Sequence, residues 1–173
     1  MSYLEDLKQV YQYLSKRNFR LNIFNEEELG NALDVFPMEF LDAQENRELL
    51  AGHDVMKDIQ IDQRNLRYEC EFYLRSHLLK LRLGYLEPNR QLTQLLKFSF
   101  PAYQNIFRHL LRLKNIPVSA EPSEVIRQMA ESFNIKVSVF LAVIDADSSA
   151  KLDYLFADYL QEIESLIQKV DSL

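Results

Sequence analysis

The fold is decided by residues 64–87, RNLRYECEFYLRSHLLKLRLGYLE, which end just before Pro88. Apolar residues recur there at helical spacing, which predicts an amphipathic helix of about 25 residues that starts after the N-cap Asp62. One apolar stripe comprises Leu66, Cys70, Tyr73, Leu74, Leu78, Leu81 and Tyr85. A second stripe comprises Phe72, Leu79, Leu83 and Leu86. Because a helix that is apolar on two sides is normally covered on both, we expect it at the centre of a bundle.

The rest of the C-terminal two thirds of the chain is also predicted to be helical. Residues 91–115 predict a second long helix, with a kink where Pro101 removes a backbone donor. Two shorter helices are predicted after Pro122 and Ile135, and residues 152–170 carry an apolar face at i, i+3, i+4 spacing. The chain is therefore predicted to be mainly α, an up-and-down helical bundle with four to five main helices.

The N-terminal part predicts a small appendage of helices and an extended segment. Asn25 and Glu28 form a capping-box pattern at the start of a short helix. Residues 34–42, DVFPMEFLD, alternate in polarity and contain a proline, which predicts an extended segment. We expect residues 1–60 to form the appendage and residues 61–173 to form the bundle.

Composition indicates a folded cytoplasmic protein. Hydrophobic residues make up 47% and charged residues 27% of the chain, as in ordinary globular domains. No apolar run approaches the roughly 18 residues needed to span a bilayer, which argues against a membrane partner. The start, MSYLEDLKQV, lacks the basic and apolar regions of a secretion signal. The single cysteine, Cys70, excludes a disulfide within one chain.

Charge is distributed unevenly along the chain. Residues 1–62 carry 13 acidic and 6 basic side chains, residues 63–114 carry 3 and 10, and residues 115–173 carry 10 and 4. One interpretation is that the three segments pack together and neutralise one another. The other is an anion-binding face on the middle helices. Nucleic acid is disfavoured as a partner, because the acidic flanks would repel a phosphate backbone.

The central helix carries the candidate ligand-binding residues. Arg75, His77, Lys80 and Arg82 lie close together in sequence, and Arg108 is a further candidate. Such groups could bind a phosphate or a carboxylate. Alternatively, they are the ordinary mixture of core-facing and solvated positions on a long helix.

Motifs for nucleotide or metal chemistry are missing from the sequence. The three glycines are followed by Asn, His and Tyr, so neither a Walker loop nor a dinucleotide-binding loop is present. Residues 145–156, DADSSAKLDYLF, imitate a calcium loop but have Ala150 and Phe156 where glycine and glutamate are required. We therefore predict no metal site, and an acidic turn in which Asp145 or Asp147 ends one helix and Ser148 or Ser149 caps the next.

Three strings resemble the later part of bacterial nucleotidyltransferase-domain proteins of poorly characterised function. They are DVFPMEFLDAQENRELLAGHDV, RNLRYECEFYLRSHLLKLRLGYLE and YLFADYLQEIESLIQKVDSL, in that order. In that group a small polymerase-β-like domain is followed by a helical bundle similar to that of kanamycin nucleotidyltransferase. The resemblance covers residues 25–173 and implies a helical bundle.

The same resemblance implies which catalytic parts to look for. Family members carry a Gly-Ser loop and paired aspartates upstream, and neither is present here. Glu39 in FPMEFLD is the best candidate for a remnant of the third carboxylate, which the superfamily places on a strand; otherwise Glu39 is simply an exposed position. One carboxylate alone could not organise two magnesium ions.

Three functional hypotheses follow from these observations. The first is a non-catalytic accessory module that binds a substrate or a partner such as a nucleotidyltransferase-like domain, without a cofactor. The second is part of an active nucleotidyltransferase, using magnesium and a nucleotide, if an upstream segment or a partner chain supplies the catalytic half. The third is a structural protein whose last helix pairs with its own copy.

Overall fold

The protein is all-α in the part that the structure describes. The computed structural model describes residues 2–17, 19, 21–147 and 151–173. These residues form eight helices and no strand, which confirms the predicted mainly-α class. None of the described helices combines the length and the apolarity needed to cross a membrane. The helices are α1 (Ser2–Ser15), α2 (Glu26–Asn31), α3 (Pro37–Asn46), α4 (Gln63–Leu86), α5 (Leu92–Leu113), α6 (Pro122–Phe133), α7 (Val137–Ile144) and α8 (Leu152–Asp171).

The chain divides into two compact units, residues 1–33 and residues 34–173. The first unit contains α1 and α2. The predicted capping box of α2 is confirmed, because the Glu28 amide donates to Asn25 Oδ1 at 2.8 Å and the Asn25 amide donates to Glu28 Oε2 at 3.0 Å. The second unit contains α3 to α8, so the division falls earlier in the chain than residue 60.

The prediction of an extended segment at residues 34–42 is wrong, because α3 begins at Pro37. Proline suits the first position of a helix, where its missing N–H needs no partner and its fixed φ is already helical. The Met38 amide donates to Glu69 Oε2 on α4 at 2.7 Å. A carboxylate from another helix thus caps α3, and this cap could not be read from the local sequence.

The central helix α4 has its predicted start and only one covered face. The Arg64 amide donates to Asp62 Oδ1 at 2.8 Å, which confirms the N-cap. Helices α3, α5 and α8 pack against α4 and bury its first stripe at Leu66, Cys70, Leu74, Leu78 and Leu81. The members of the second stripe are 56–74% exposed. The expectation that both faces are covered is therefore wrong, since these neighbours pack against the first stripe.

Helix α5 passes through the middle of the second unit. It packs against α4, α6, α7 and α8 and continues through Pro101 without ending. Its Tyr103 and Phe107 meet Tyr159 and Phe140 in edge-to-face contacts, with ring centroids 5.2–5.7 Å apart. These aromatic contacts join α5, α7 and α8 into one core.

The last helix, α8, buries its apolar face inside the chain. Buried side chains of this face are Phe156, Tyr159, Ile163, Leu166, Ile167 and Val170. This face is therefore already covered, and it does not offer the surface for self-pairing that the sequence suggested.

The acidic turn before α8 is only partly described. Asp145 is the C-cap of α7, one of the two helix-ending positions that we predicted. The predicted caps Ser148 and Ser149 lie outside the described residues.

Candidate functional site

A cavity of about 230 Å³ lies between α3, α4 and α5. It brings together Glu39 and His77, two of the residues singled out in the sequence, although they are far apart along the chain. The cavity is lined by Met38, Glu39, Asp42, Tyr73, His77, Ala102, Asn105 and Ile106.

Two carboxyl groups meet at one edge of the cavity. Glu39 on α3 lies beside Glu69 on α4, which also accepts the hydrogen bond from the Met38 amide. Burial raises the pKa of Glu69 to about 7. The charge of Glu39 and its hydrogen bond with Glu69 raise this pKa further, whereas the hydrogen bond from the Met38 amide lowers it. Near neutral pH the Glu69 carboxyl group is therefore protonated for part of the time.

One wall of the cavity is aromatic and uncharged. The rings of Tyr73 and His77 stack with centroids 6.1 Å apart and planes 18° apart. Burial lowers the pKa of His77, and the positive charge of Lys80 lowers it further. Burial also raises the pKa of Tyr73, with the nearby carboxylates adding to the rise. Both rings are therefore neutral at pH 7.

Asp42 lies on another side of the cavity and is held there by two residues of α5. Its Oδ2 lies 3.3 Å from Nε2 of the fully buried His109, and its Oδ1 accepts from Arg112 Nη1 at 2.9 Å. Arg112 also pairs with Glu45. Burial by itself raises the pKa of Asp42, but His109 and Arg112 outweigh it and hold that pKa below its usual value. Asp42 is therefore an ionised carboxylate held in place by α5.

Sequence reasoning missed most of this neighbourhood. Asp42 follows Glu39 by three residues, a spacing that places both on one side of a helix once α3 is known to be helical. Glu69 has no local signal, because it meets Glu39 only through the packing of α3 on α4.

Two of the predicted anion-binding residues lie in a different groove. Arg75 and Arg82 line a cavity of about 480 Å³ between α4 and α8. Arg75 Nε donates to Glu71 Oε1 at 2.7 Å, and Arg82 Nη2 donates to Glu164 Oε1 at 2.7 Å. Each guanidinium group is therefore already paired with a carboxylate, which offsets the charge that an anion would need.

The remaining basic candidates occupy further separate positions. Lys80 is exposed on α4. Arg108 donates to the carbonyl oxygens of Ser119 at 2.8 Å and Ala120 at 3.0 Å, and so secures the loop before α6. The predicted basic residues and His77 therefore do not converge on one site.

Ion pairs join the basic middle of the chain to both acidic flanks. Arg112 pairs with Asp42 and Glu45 in the first acidic segment, and Arg82 pairs with Glu164 in the second. These contacts favour the interpretation in which the segments neutralise one another over a general anion-binding face.

The described residues offer neither a group of metal ligands nor a reactive thiol. Among the described residues, no group of three or more His, Cys, Asp or Glu side chains could hold a metal ion. Cys70 is fully buried, and burial raises the pKa of its thiol, so the thiol stays protonated at neutral pH.

Comparison of the chain with family models, with curated proteins and with solved structures gives no significant match.

Proposed function

We propose that this chain is a non-catalytic helical binding module of a nucleotidyltransferase-like system, and that the cavity between α3, α4 and α5 receives its ligand. One observation carries the proposal: three helices direct Glu39, Asp42, Tyr73, His77 and Asn105 to the same cavity of about 230 Å³. Convergent polar side chains in a concave, partly apolar site are typical of a binding site. The resemblance to accessory bundles of nucleotidyltransferase-domain proteins supports the same role.

The chemistry of the cavity favours a ligand group rich in N–H donors. Asp42 is ionised, Glu39 adds a second carboxyl group to the lining, and the stacked rings of Tyr73 and His77 offer neutral aromatic faces. Carboxylates accept strong hydrogen bonds from ammonium and guanidinium groups, and aromatic faces attract them. The ligand group we propose is therefore cationic, in contrast to the anion that the basic residues suggested.

The size of the cavity favours an end group over a whole nucleotide. Its volume of about 230 Å³ is smaller than the roughly 300–1,000 Å³ of sites for drug-sized ligands. The proposed occupant is the amine or guanidine end of a substrate, or a lysine or arginine side chain of a partner domain.

Titration of the isotope-labelled full chain tests this function by NMR. With methylguanidinium, butylamine and magnesium ATP as separate probes, we expect the two cationic probes to shift the amide signals of Glu39, Tyr73, His77 and Asn105, with millimolar affinity. Shifts confined to magnesium ATP would contradict the proposed ligand chemistry. If none of the three probes shifts these signals, the proposal that the cavity is a binding site is wrong.

A matched pair of variants separates the cavity from general charge effects. Glu39→Gln removes one carboxylate of the cavity, and we expect it to lower the affinity for the cationic probes about tenfold. Glu131→Gln makes the same change at an exposed position of α6 and should leave their affinity unchanged. Equal weakening by both variants would show only long-range charge attraction.

A further inference from the structure

The side of α4 that faces away from the core carries a line of large apolar side chains that is interrupted at Arg75. We call it the outer face and define it by Tyr68, Phe72, Leu79, Leu83 and Leu86. These side chains are 56–74% exposed. Their spacing of four, seven, four and three residues keeps them on one line along the whole helix. Large apolar side chains grouped in this way mark an interaction surface.

We infer that a second copy of this chain covers the outer face, with the two α4 helices packed antiparallel. In this arrangement Tyr68 of each copy lies opposite Leu86 of the other. Phe72 then lies opposite Leu83 to within one residue of register. Both pairs share a midpoint near residue 77, so one two-fold axis satisfies all four contacts. An interface of this kind is self-complementary, as a symmetric dimer requires.

The centre of the interface places Arg75 opposite Leu79. The Glu71 carboxylate holds Arg75 Nε at 2.7 Å, which draws the guanidinium group to the edge of the face. The aliphatic stem of Arg75 can therefore pack on leucine while its charge stays in water. At the same edge, Glu71 of one copy faces Arg82 of the other. Both groups already have partners in their own chain, Glu71 with Arg67 and Arg75, and Arg82 with Glu164, so apolar contact and not charge holds the two copies together.

The charges along the outer face do not oppose self-pairing. Arg75 is paired with Glu71, and Arg82 is paired with Glu164 of α8. At the start of the helix, Arg64 pairs with Asp62 at 2.8 Å. The net positive charge of this segment is therefore largely offset next to the face, and the apolar contact decides the partner.

The area of the outer face matches a modest dimer interface. A fully buried aromatic side chain accounts for about 150–250 Å² and a leucine for less, so two aromatic and three leucine side chains that are 56–74% exposed supply on the order of 600 Å² per copy when covered. A pair would bury on the order of 1,200 Å², the lower end of specific protein interfaces. We therefore expect a dimer with a micromolar dissociation constant.

Sedimentation of the full chain tests the dimer. At about 50 µM we expect a mass twice that of one chain. On dilution the mass should fall to that of a single chain. Leu79→Glu combined with Leu83→Glu should yield a monomer at the same concentration, because four charges would enter the interface. Both positions are exposed, and a helical circular dichroism spectrum would show that the variant folds.

A change of the same kind on another helix is the control. Phe98→Glu alters a side chain of α5 that is 78% exposed and lies outside the outer face. It should leave the dimer intact. A wild-type chain that stays monomeric at about 200 µM, or a double variant that stays dimeric, would overturn the inference. Binding of a different protein to a monomeric chain would overturn it as well.

Cross-linking tests the antiparallel register. The native thiol of Cys70 is buried, so a new surface cysteine can be modified selectively. A short bismaleimide should link Tyr68→Cys copies to Leu86→Cys copies in a mixture. It should not link two Tyr68→Cys copies, whose residues lie about 27 Å apart along the antiparallel helices. The reverse pattern would indicate parallel helices and contradict the register.

Discussion

At the scale of single residues, the most informative feature is a carboxyl group, that of Glu69, which meets a second carboxyl group. Asp42 and Glu69 are both partly buried, yet the pKa of the first is lowered and that of the second is raised to about 7. The difference lies in their neighbours. Asp42 contacts His109 and Arg112, whereas Glu69 contacts another carboxyl group. The neighbours outweigh burial in the first case and add to it in the second.

The raised pKa of Glu69 predicts a pH-dependent stability. Between about pH 4.5 and 7 the folded state holds this proton and the unfolded state releases it, so the contribution of Glu69 to stability is lost as pH rises through this window. Glu69→Gln keeps an acceptor for the Met38 amide but cannot ionise. We expect the variant to gain about 1 kcal/mol of unfolding free energy relative to wild type between pH 5 and pH 8.

Urea unfolding of both chains at several pH values measures this difference. His77 contributes with the opposite sign, because its lowered pKa makes the folded state release a proton that the unfolded state keeps. The difference between variant and wild type cancels that contribution. A difference that does not change with pH would show that Glu69 is ionised in the folded protein as it is in the unfolded chain.

At the scale of the helix, the start of each element shows how much is decided locally. The caps of α2 and α4 come from Asn25 and Asp62, the residues that directly precede these helices. The amide at the start of α3 uses Glu69 of α4, and the Lys136 amide at the start of α7 donates to Glu162 Oε2 of α8 at 3.0 Å. Helices capped from a distance are the ones whose starts depend on packing.

Loss of the local cap of α4 should lower stability by a modest amount. Asp62→Ala leaves the Arg64 amide without its side-chain acceptor, and we expect a loss of about 1 kcal/mol of unfolding free energy. Asp62→Asn preserves the cap and should lose much less. Denaturant unfolding compares the three chains, and an equal loss in both variants would assign the effect to the ion pair with Arg64 instead.

At the scale of the whole molecule, stability depends on the core shared by α4 to α8. Tyr103, Phe107, Phe140 and Tyr159 are all fully buried and contact one another across three helices. Such a cluster ties together elements from different parts of the chain, and its packing is sensitive to loss of volume.

Two phenylalanines of α5 provide a direct test of this core. Phe107→Ala removes a fully buried ring and should cost about 3–5 kcal/mol. Phe98→Ala removes a ring that is 78% exposed on the same helix and should cost less than about 0.5 kcal/mol. Thermal unfolding of both variants measures the contrast, and similar melting temperatures would contradict the placement of these rings.

Prediction from the sequence succeeded where the signal is local. Asp62 marked the start of α4, and Pro122 marked the start of α6. It failed at Pro37, because a proline fits an edge strand and a helix start equally well. For the site, Glu39 and His77 were named from the sequence, whereas Asp42 and Glu69 were found only in the structure.

The sequence by itself therefore determined the helical class, the stripes of α4 and α8 and the caps of α2 and α4, because spacing and neighbouring residues specify these features. Only the tertiary structure decided which stripe of α4 is buried, since that depends on where α3, α5 and α8 pack. It also decided that Glu39 meets Glu69 and that Arg75 and Arg82 are ion-paired. Burial and charge contacts involve residues that are far apart in the chain, so both are decided only when the helices have packed together.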